Sequence, residues 1–283
     1  MQRSIYIRPL GIYGAARAPS GDADEAPQEM WGGLPLAGGS LAFSALEVLE
    51  RNPRGTQKRT IGLGEVFERD WGRNTLSAAD LLEAIRSPRP RLAGLALDRP
   101  RIMGIVNVTP DSFSDGGLHN GAQAAIAHGL KLAEEGADIL DIGGESTRPG
   151  SDAVAVEDEL RRVLPVIEGL RAKTDKLISI DTRKAEVMRQ AAQAGADILN
   201  DVSALSHDPK ALDVAAESGL PVMLMHAQGD PKTMNDNPQY GDVVLDVFDY
   251  LEGRIRECVA AGIPKSRLIA DPGIGFGKHL HHN

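Results

Sequence analysis

Short apolar runs separated by longer amphipathic stretches dominate the chain after residue 100. A strand that is buried on both faces of a parallel sheet needs a nearly continuous apolar sequence, and runs of this kind recur here at regular intervals. Several of the intervening helical patterns end at a glycine, which closes a helix without the steric penalty of a Cβ. This alternation predicts a parallel α/β fold. The six predicted strands are residues 102–107, 137–142, 176–181, 196–201, 221–226 and 267–272.

A polar side chain stands at the carboxyl end of nearly every one of these runs. In parallel sheets and barrels, ligands bind beyond the carboxyl ends of the strands. A single acidic residue at such a position is usually a helix N-cap, whereas a series of them favours a shared site. We therefore predict one ligand-binding mouth, formed by Asn107, Asp141, Asp181, Asn200, Asp201, His226 and Asp271.

The number of repeating units bears on the fold class. The 183 residues from 101 to 283 contain six predicted β/α units, whereas a complete (β/α)8 barrel takes about 250 residues. A barrel with six strands has two open edges. The predicted fold is therefore α/β, a (β/α)8 TIM barrel of which about six β/α units are present. The chain is expected to be a piece of a longer protein.

Residues 1–100 have a less regular pattern, and they contain no recognisable chemical motif. The pattern indicates strand-like residues 3–10, a loop at 15–39, a strand or short helix at 41–49, and a helix at 77–86. We predict a small mixed α+β module with a structural or interaction role, which ends near Arg99 and Pro100.

The charge distribution divides the chain at the same place. Residues 1–100 carry 13 basic and 12 acidic residues, and residues 101–283 carry 18 and 28. The net charge of −9 argues against a duplex nucleic-acid binder, which needs a basic face. No apolar run reaches the roughly 18–20 residues that span a bilayer. A single cysteine, Cys258, excludes an internal disulfide. These features predict a cytoplasmic protein without a nucleic-acid or membrane partner.

Two loops carry the most distinctive sequences. Residues 107–117, NVTPDSFSDGG, exceed the usual βα connection of about 2–6 residues, and we interpret them as a closing lid or as a plain surface loop. Residues 143–150, GGESTRPG, provide the Thr147 hydroxyl and the Arg148 guanidinium, whose paired donors match phosphate oxygens. The alternative for Arg148 is a structural ion pair with an acidic residue such as Glu145.

Asp181, Asn200 and Asp271 close three further strands. An ionised carboxylate at the mouth of a barrel is unfavourable unless it is paired or hydrogen-bonded. The N–H groups along one edge of a heterocycle would satisfy it, and so would a metal ion. The run DPGIGFGK at 271–278 resembles an anion-binding loop, but it lacks the spacing of the known nucleotide-binding motifs.

Six segments resemble dihydropteroate synthases and occur in the order typical of that family: residues 102–117, 136–150, 178–187, 198–205, 224–234 and 271–278. The resemblance implies a transferase of folate biosynthesis that condenses 4-aminobenzoate with 6-hydroxymethyl-7,8-dihydropterin diphosphate to give 7,8-dihydropteroate and diphosphate. Sulfonamides mimic the aminobenzoate. The resemblance also implies Mg2+ as cofactor, because the metal neutralises the departing diphosphate. For the full-length protein it implies a homodimer.

The resemblance also assigns roles to individual residues. The implied catalytic residues are Asn107, Asp111, Asp115, Arg148 and Asp181. The implied substrate-binding residues are Phe113, Thr147, Arg148, Pro149, Asp181, Asn200, Met225, Asp271 and Phe276. Asn107 is the implied Mg2+ ligand, and Phe113 and Pro149 match the positions around the aminobenzoate ring. Asp115 and Arg148 are interpreted as a latch between the two loops, or as a purely structural pair.

Two motifs of the family do not occur in the sequence: an S-R-K run after the seventh strand and an R-V-H-D run at the eighth. We therefore expect the 283-residue chain to be inactive or unstable although its parent protein is a synthase. Two alternatives stay open: a pterin-binding paralogue without activity, and a methyltransferase domain that passes a methyl group from a folate to a corrinoid. The two distinctive loops favour the synthase, because methyl transfer expels no diphosphate.

Overall fold

The computed structural model describes residues 5–14, 33–68, 78–108, 117–146, 153–229, 234 and 236–283. The chain divides into two compact units, Met1–Pro100 and Arg101–Asn283. The units meet in sequence at the position where the charge pattern changes. In the described part of the chain, no helix is both long enough and apolar enough to cross a membrane.

Antiparallel strands and two short helices build the first unit. Its strands are β1 (Ile5–Leu10), β2 (Tyr13–Gly14), β3 (Leu34–Leu36), β4 (Leu41–Phe43), β5 (Ala45–Asn52) and β6 (Gly55–Gly62), and its helices are α1 (Leu63–Glu68) and α2 (Ala78–Arg86). One sheet has the order β1-β5-β6, and a smaller one has the order β2-β4-β3. The mixed α+β architecture follows from this arrangement.

Residues 41–49, which the sequence left as a strand or a short helix, form β4 and the start of β5. In β5 the buried and the more exposed side chains alternate at first, as they do in a strand. Leu46 and Val48 are buried in the core of the unit, whereas Glu47 between them faces the other way and pairs with Arg8 of β1. The helix predicted at 77–86 is confirmed over its described residues by α2. The loop prediction is wrong at Leu34–Leu36, because this short strand pairs with β4 despite its proline.

The second unit is a parallel sheet whose strands alternate with helices. Its strands are β7 (Met103–Asn107), β8 (Ile139–Gly143), β9 (Leu177–Asp181), β10 (Ile198–Asp201), β11 (Val222–Met225) and β12 (Leu268–Asp271). Its helices are α3 (Gly117–Glu134), α4 (Val156–Arg171), α5 (Ala185–Ala194), α6 (Ala211–Ser218) and α7 (Val243–Ala260). The sheet order is sequential from β7 to β12, and every pairing is parallel.

The apolar runs at the centre of the sheet form strands whose side chains are mostly buried on both faces, whereas the edge strands β7 and β12 keep exposed residues. Every residue of β8 is buried, and the strands share one hydrophobic core with the helices. Gly195 and Gly219 close α5 and α6 in the left-handed conformation, with φ of 110° and 72°. All six predicted strands and the α/β class are confirmed. In the described sheet β7 and β12 are edge strands, so the closed barrel stays a prediction.

Candidate active site at the carboxyl ends of the parallel strands

Strand register places three of the predicted site residues at one level. Asn107 is the partner of Gly143, Gly143 of Asp181, and Asp181 of Asn200 in neighbouring strands. A Cβ on Gly143 would lie 3.6 Å from Asn107 Oδ1 and 3.7 Å from Asp181 Oδ2. The side chains of these strand ends therefore converge above Gly143, as the sequence pattern indicates.

Asp141 lies one level below and completes a group that we call the strand-end cluster: Asn107, Asp141, Asp181 and Asn200. Asp141 is 6% exposed, and its Oδ2 accepts a hydrogen bond of 3.1 Å from Asn200 Nδ2. Burial raises the pKa of Asp141, and the side chains of Ser179 and Asn200 oppose this shift as hydrogen-bond donors. Sequence reasoning placed Asp141 among the strand ends but gave it no role.

Asp181 has the most perturbed carboxyl group of the cluster. Burial raises its pKa well above the ordinary value, and the negative charges of Asp141, Asp201 and Glu159 raise it further, against the opposing charge of Arg183. A half-buried carboxylate that lies near other carboxylates is stabilised when a ligand brings N–H donors or positive charge to it. Asp181 is therefore suited to bind a donor-rich ligand.

Asp201 follows Asn200 in sequence, but its carboxylate binds backbone N–H groups of the next turn. It is fully buried, and its carboxylate accepts hydrogen bonds from Ser203 N at 2.7 Å, Ser203 Oγ at 2.6 Å and Leu205 N at 3.0 Å. These bonds fix the turn that follows β10. The sequence predicted Asp201 as part of the ligand-binding mouth. Its hydrogen-bond partners show that it stabilises the turn after β10.

A buried ion-pair network supports the cluster from the side of α4 and α5. Lys184 Nζ binds the carboxylates of Glu145 and Glu159, and Arg183 Nη2 lies 3.2 Å from Glu145 Oε2. Burial would raise the pKa of Glu145, but the hydrogen bonds from Val154 N and Lys184 outweigh it and the pKa is lowered. Glu145 is thus paired with Arg183 and Lys184.

The loop after β12 is tied together by a buried lysine. Lys278 is 6% exposed, and its Nζ lies 2.9 Å from His226 Nδ1 and donates to the carbonyl oxygens of Gly273 and Phe276 at 2.9 and 3.0 Å. Burial and the charge of Lys278 lower the pKa of His226 to about 4, and burial lowers that of Lys278 to about 8. Sequence reasoning missed this lysine, which holds the glycine-rich loop and is occupied by carbonyl groups.

The last two described site residues flank this loop. Met225 is buried at the end of β11 opposite Asp271, and Asp271 Oδ1 accepts a hydrogen bond of 2.7 Å from Gly273 N. Phe276 borders a cavity of about 320 Å3 at the same end of the sheet, whose lining includes Arg183, Ser203, His207, Met234 and Tyr250. The strand-end cluster and this cavity therefore face the same end of the sheet.

Six predicted site residues lie outside the described residues: Asp111, Phe113, Asp115, Thr147, Arg148 and Pro149. They occupy the two distinctive loops, so the lid and the phosphate fork stay predictions. Among the described residues, no group of three His, Cys, Asp or Glu side chains is arranged to hold a metal ion. Asn107 is the predicted metal ligand that the structure describes.

Comparison with known proteins identifies the class to which this site belongs. The family model for the pterin binding enzymes matches residues 103–283, so the chain belongs to that family. Its relatives narrow the class further. The dihydropteroate synthase of Escherichia coli (strain K12) is 53% identical over 189 residues, which cover 67% of this chain and 67% of that protein. The chain is a member of the dihydropteroate synthases.

Solved structures agree with this assignment. A Xanthomonas albilineans dihydropteroate synthase with 4-aminobenzoic acid matches with 60% identity and a TM-score of 0.64, over 69% of this chain and 70% of that one. The same enzyme in complex with 7,8-dihydropteroate matches with 56% identity and a TM-score of 0.61, over the same shares. The described parallel sheet is thus of the TIM-barrel-like type found in this family.

Proposed function

We propose that the protein condenses 4-aminobenzoate with 6-hydroxymethyl-7,8-dihydropterin diphosphate and releases 7,8-dihydropteroate and diphosphate. Family membership supports the reaction, and one observation in the structure carries the assignment of the site. Asp181 and Asn200 are register partners at the carboxyl ends of neighbouring strands, and they present hydrogen-bond acceptors at one level. The amino and ring N–H groups of a pterin are donors that satisfy such an edge.

Each described site residue has a physical role in this reaction. Asp181 and Asn200 accept hydrogen bonds from the pterin, and Asp271 offers a third acceptor beside Met225. Met225 and Phe276 supply apolar surface for the flat ring. Departure of the diphosphate leaves positive charge on the pterin methylene, which the carboxylate of Asp181 stabilises before the aminobenzoate amine attacks.

The two loops complete the proposal. We infer that Thr147 and Arg148 contact the substrate and its diphosphate, that Phe113 and Pro149 border the aminobenzoate, and that Asp111 and Asp115 close with the first loop. Water exclusion by such a closure protects the cationic pterin from hydrolysis.

A magnesium ion fits the oxygen atoms at one side of the strand-end cluster. Asn107 Oδ1 and Asp181 Oδ2 flank the space that Gly143 leaves open, and Mg2+ is commonly held by one or two protein oxygens together with water and substrate phosphates. We propose Asn107 as the protein ligand. When bound, the metal neutralises charge on the departing diphosphate.

We further infer that the parallel sheet closes into an eight-stranded barrel in the whole protein. Ile105 lies at the level of buried Asp141, two residues before Asn107 on the same face of β7, and yet it is 60% exposed. An apolar side chain on the inner face of a sheet is buried once further strands cover it. The exposure of Ile105 supports closure on the β7 side.

The decisive test is turnover with both substrates and Mg2+ by a chain extended to carry the S-R-K and R-V-H-D runs, because we expect the 283 residues alone to be inactive. We expect dihydropteroate and diphosphate to form in equal amounts, and diphosphate release to depend on aminobenzoate. Binding of the pterin diphosphate in calorimetry without any product would identify a non-catalytic pterin-binding paralogue and overturn the proposal. Methyl transfer from a folate would point to the methyltransferase alternative.

A further inference from the structure

The hydrogen bond between Asn200 and Asp141 has a consequence for ligand recognition. A side-chain amide carries a donor and an acceptor on opposite arms of one planar group, so fixing one arm fixes the other. Asn200 Nδ2 donates to Asp141 Oδ2 at 3.1 Å, one level below the strand ends. The oxygen arm of Asn200 is thereby directed away from Asp141.

We propose that Asp141 is a positioning residue that orients the amide of Asn200 so that its Oδ1 faces the ligand as an acceptor. The inference rests on the proposed function, because it explains how the site selects the donor edge of a pterin. Without Asp141 the amide is free to rotate, and its NH2 group would then oppose the N–H groups of the ligand. Asp141 acts through Asn200 and does not itself touch the ring.

Stability gives no reason for a carboxylate at this position. Asp141 is 6% exposed, and its Oδ1 is buried without a hydrogen-bond partner among the described residues. Ser179, its register partner on the neighbouring strand, faces the same carboxylate and is with Asn200 among the groups that lower its pKa, although Ser179 Oγ and Asp141 Oδ1 form no hydrogen bond of regular geometry. A partly satisfied buried charge is less favourable than an apolar side chain of the same size. Its hydrogen bond of regular geometry, to Asn200, is the feature that a ligand-binding role accounts for.

The repulsive surroundings of Asp141 strengthen this argument. Asp181 lies two residues beyond Ser179, the register partner of Asp141, and the charge of Asp141 is among the causes that raise the pKa of Asp181. A second acid beside the ligand-binding carboxylate destabilises the empty site. The destabilising Asp141 has a purpose if it fixes the amide of Asn200 next to Asp181. Asn200 Oδ1 and the Asp181 carboxylate then form one row of acceptors that faces the ligand.

The test compares two variants of Asp141 by pterin binding. In Asp141→Leu, which removes the acceptor and keeps the branched shape of the side chain, we expect the Kd for 6-hydroxymethyl-7,8-dihydropterin to rise about tenfold, the effect of one hydrogen bond. In Asp141→Asn, whose oxygen still accepts from Asn200 Nδ2, we expect a Kd within about twofold of that of the unaltered protein. In turnover, KM for the pterin diphosphate should rise in the Leu variant while kcat and KM for aminobenzoate stay constant.

A double-mutant cycle separates positioning from general disturbance of the site. If Asp141 acts through Asn200, then Asp141→Leu should not weaken pterin binding further in the Asn200→Ala background. Additive losses would overturn the inference, as would a Leu variant that binds normally or an Asn variant as weak as the Leu variant. Failure of the unaltered protein to bind the pterin would instead refute the proposed function.

A measurement on the unaltered protein decides the case if the Leu variant does not fold. The Nδ2 protons of Asn200 should exchange slowly in nuclear magnetic resonance spectra, and pterin binding should leave their chemical shifts almost unchanged because they face Asp141. A large shift of these protons on binding would show that the ligand contacts the NH2 arm, and it would overturn the inference.

Discussion

The carboxylates at the two ends of the parallel sheet differ in how completely they are paired by hydrogen bonds and positive charges. At the amino ends, Asp138 accepts hydrogen bonds from Ile102 N at 3.0 Å and Arg101 Nη1 at 3.2 Å. Asp197 repeats the arrangement with Ile178 N at 2.8 Å and with Arg171. Both acids are thus fully paired with backbone and arginine.

Two acids at the carboxyl ends are incompletely paired, whereas Asp201 is satisfied by its own turn. Asp141 has one hydrogen bond of regular geometry, and Asp181 lies among the negative charges of Asp141, Asp201 and Glu159, which the charge of Arg183 only partly offsets. In a folded protein of marginal stability, paired charges add to the free energy of unfolding and unpaired buried ones subtract from it. The unpaired acids therefore indicate where a ligand supplies the missing partners.

The largest expected effect is the loss of ligand binding in Asp181→Asn. We expect pterin affinity to fall about 100-fold, because hydrogen bonds to a charged acceptor contribute about 1.5–3 kcal/mol. The melting temperature should stay constant or rise, because the substitution removes a charge that repels its neighbours. Calorimetry and thermal melts check both points, and unchanged binding with a lower melting temperature would contradict the comparison.

The matched change at the amino end, Asp197→Ala, should act on stability alone. It leaves Ile178 N without its acceptor and Arg171 without its acidic partner, although the arginine keeps its bonds to the Gly195 and Lys176 carbonyl oxygens, so we expect the free energy of unfolding to fall by about 2 kcal/mol. Because the arginine pair is partly exposed, most of this loss comes from the backbone bond. Urea unfolding measures the loss. Weaker pterin binding by the folded variant would show that the two ends are not independent.

These contrasts also show what the sequence could predict. The apolar runs predicted all six parallel strands, and their polar last residues predicted that Asn107, Asp181 and Asn200 meet, because parallel register is set by the strands themselves. Asp201 and His226 were predicted in the same mouth, but their side chains bond to the turn after β10 and to Lys278 instead. The partners of those side chains could not be predicted. Asp181 and Asp201 look alike as strand-end acids, and Lys278 looks like part of an anion loop. Their tasks depend on hydrogen bonds to residues that are distant or in turns, which periodicity does not report.

Two adjacent glycines at the carboxyl end provide a finer test. A Cβ on Gly144 would lie 2.7 Å from Val163 Cγ1 and 2.9 Å from Glu159 Cγ, so Gly144→Ala should lower the free energy of unfolding by about 1–3 kcal/mol. A Cβ on Gly143 makes no contact closer than 3.6 Å and would occupy the space between Asn107 and Asp181.

We therefore expect Gly143→Ala to fold normally and to bind the pterin diphosphate with Mg2+ several-fold more weakly, since the methyl group fills space that faces the ligand. Thermal melts and calorimetry on both alanine variants separate the two effects. If Gly143→Ala binds as the unaltered protein does, then the ligand and metal do not use the space above Gly143.

The smallest expected effect concerns His226, a titratable group at the carboxyl end whose Nδ1 is bonded to Lys278. Its pKa is lowered from 6.5 to about 4, chiefly by burial and then by Lys278. The unfolded chain therefore binds more protons between these values, and the free energy of unfolding should fall as pH decreases from about 6.5 to about 4. Above pH 6.5 the residue is neutral in both states, and below pH 4 it is charged in both, so the dependence should be confined to this window.

In His226→Gln the amide oxygen can still accept from Lys278, but nothing titrates at this position. Urea unfolding at several pH values between 4 and 7 should show that the unaltered protein takes up about one more proton on unfolding than the variant. Other acids that titrate near pH 4 contribute equally to both proteins, so the difference isolates His226. Equal slopes would mean that His226 is solvated in the folded protein. The buried contact between His226 and Lys278 would then not distinguish structural side chains at the carboxyl end from those left for the ligand.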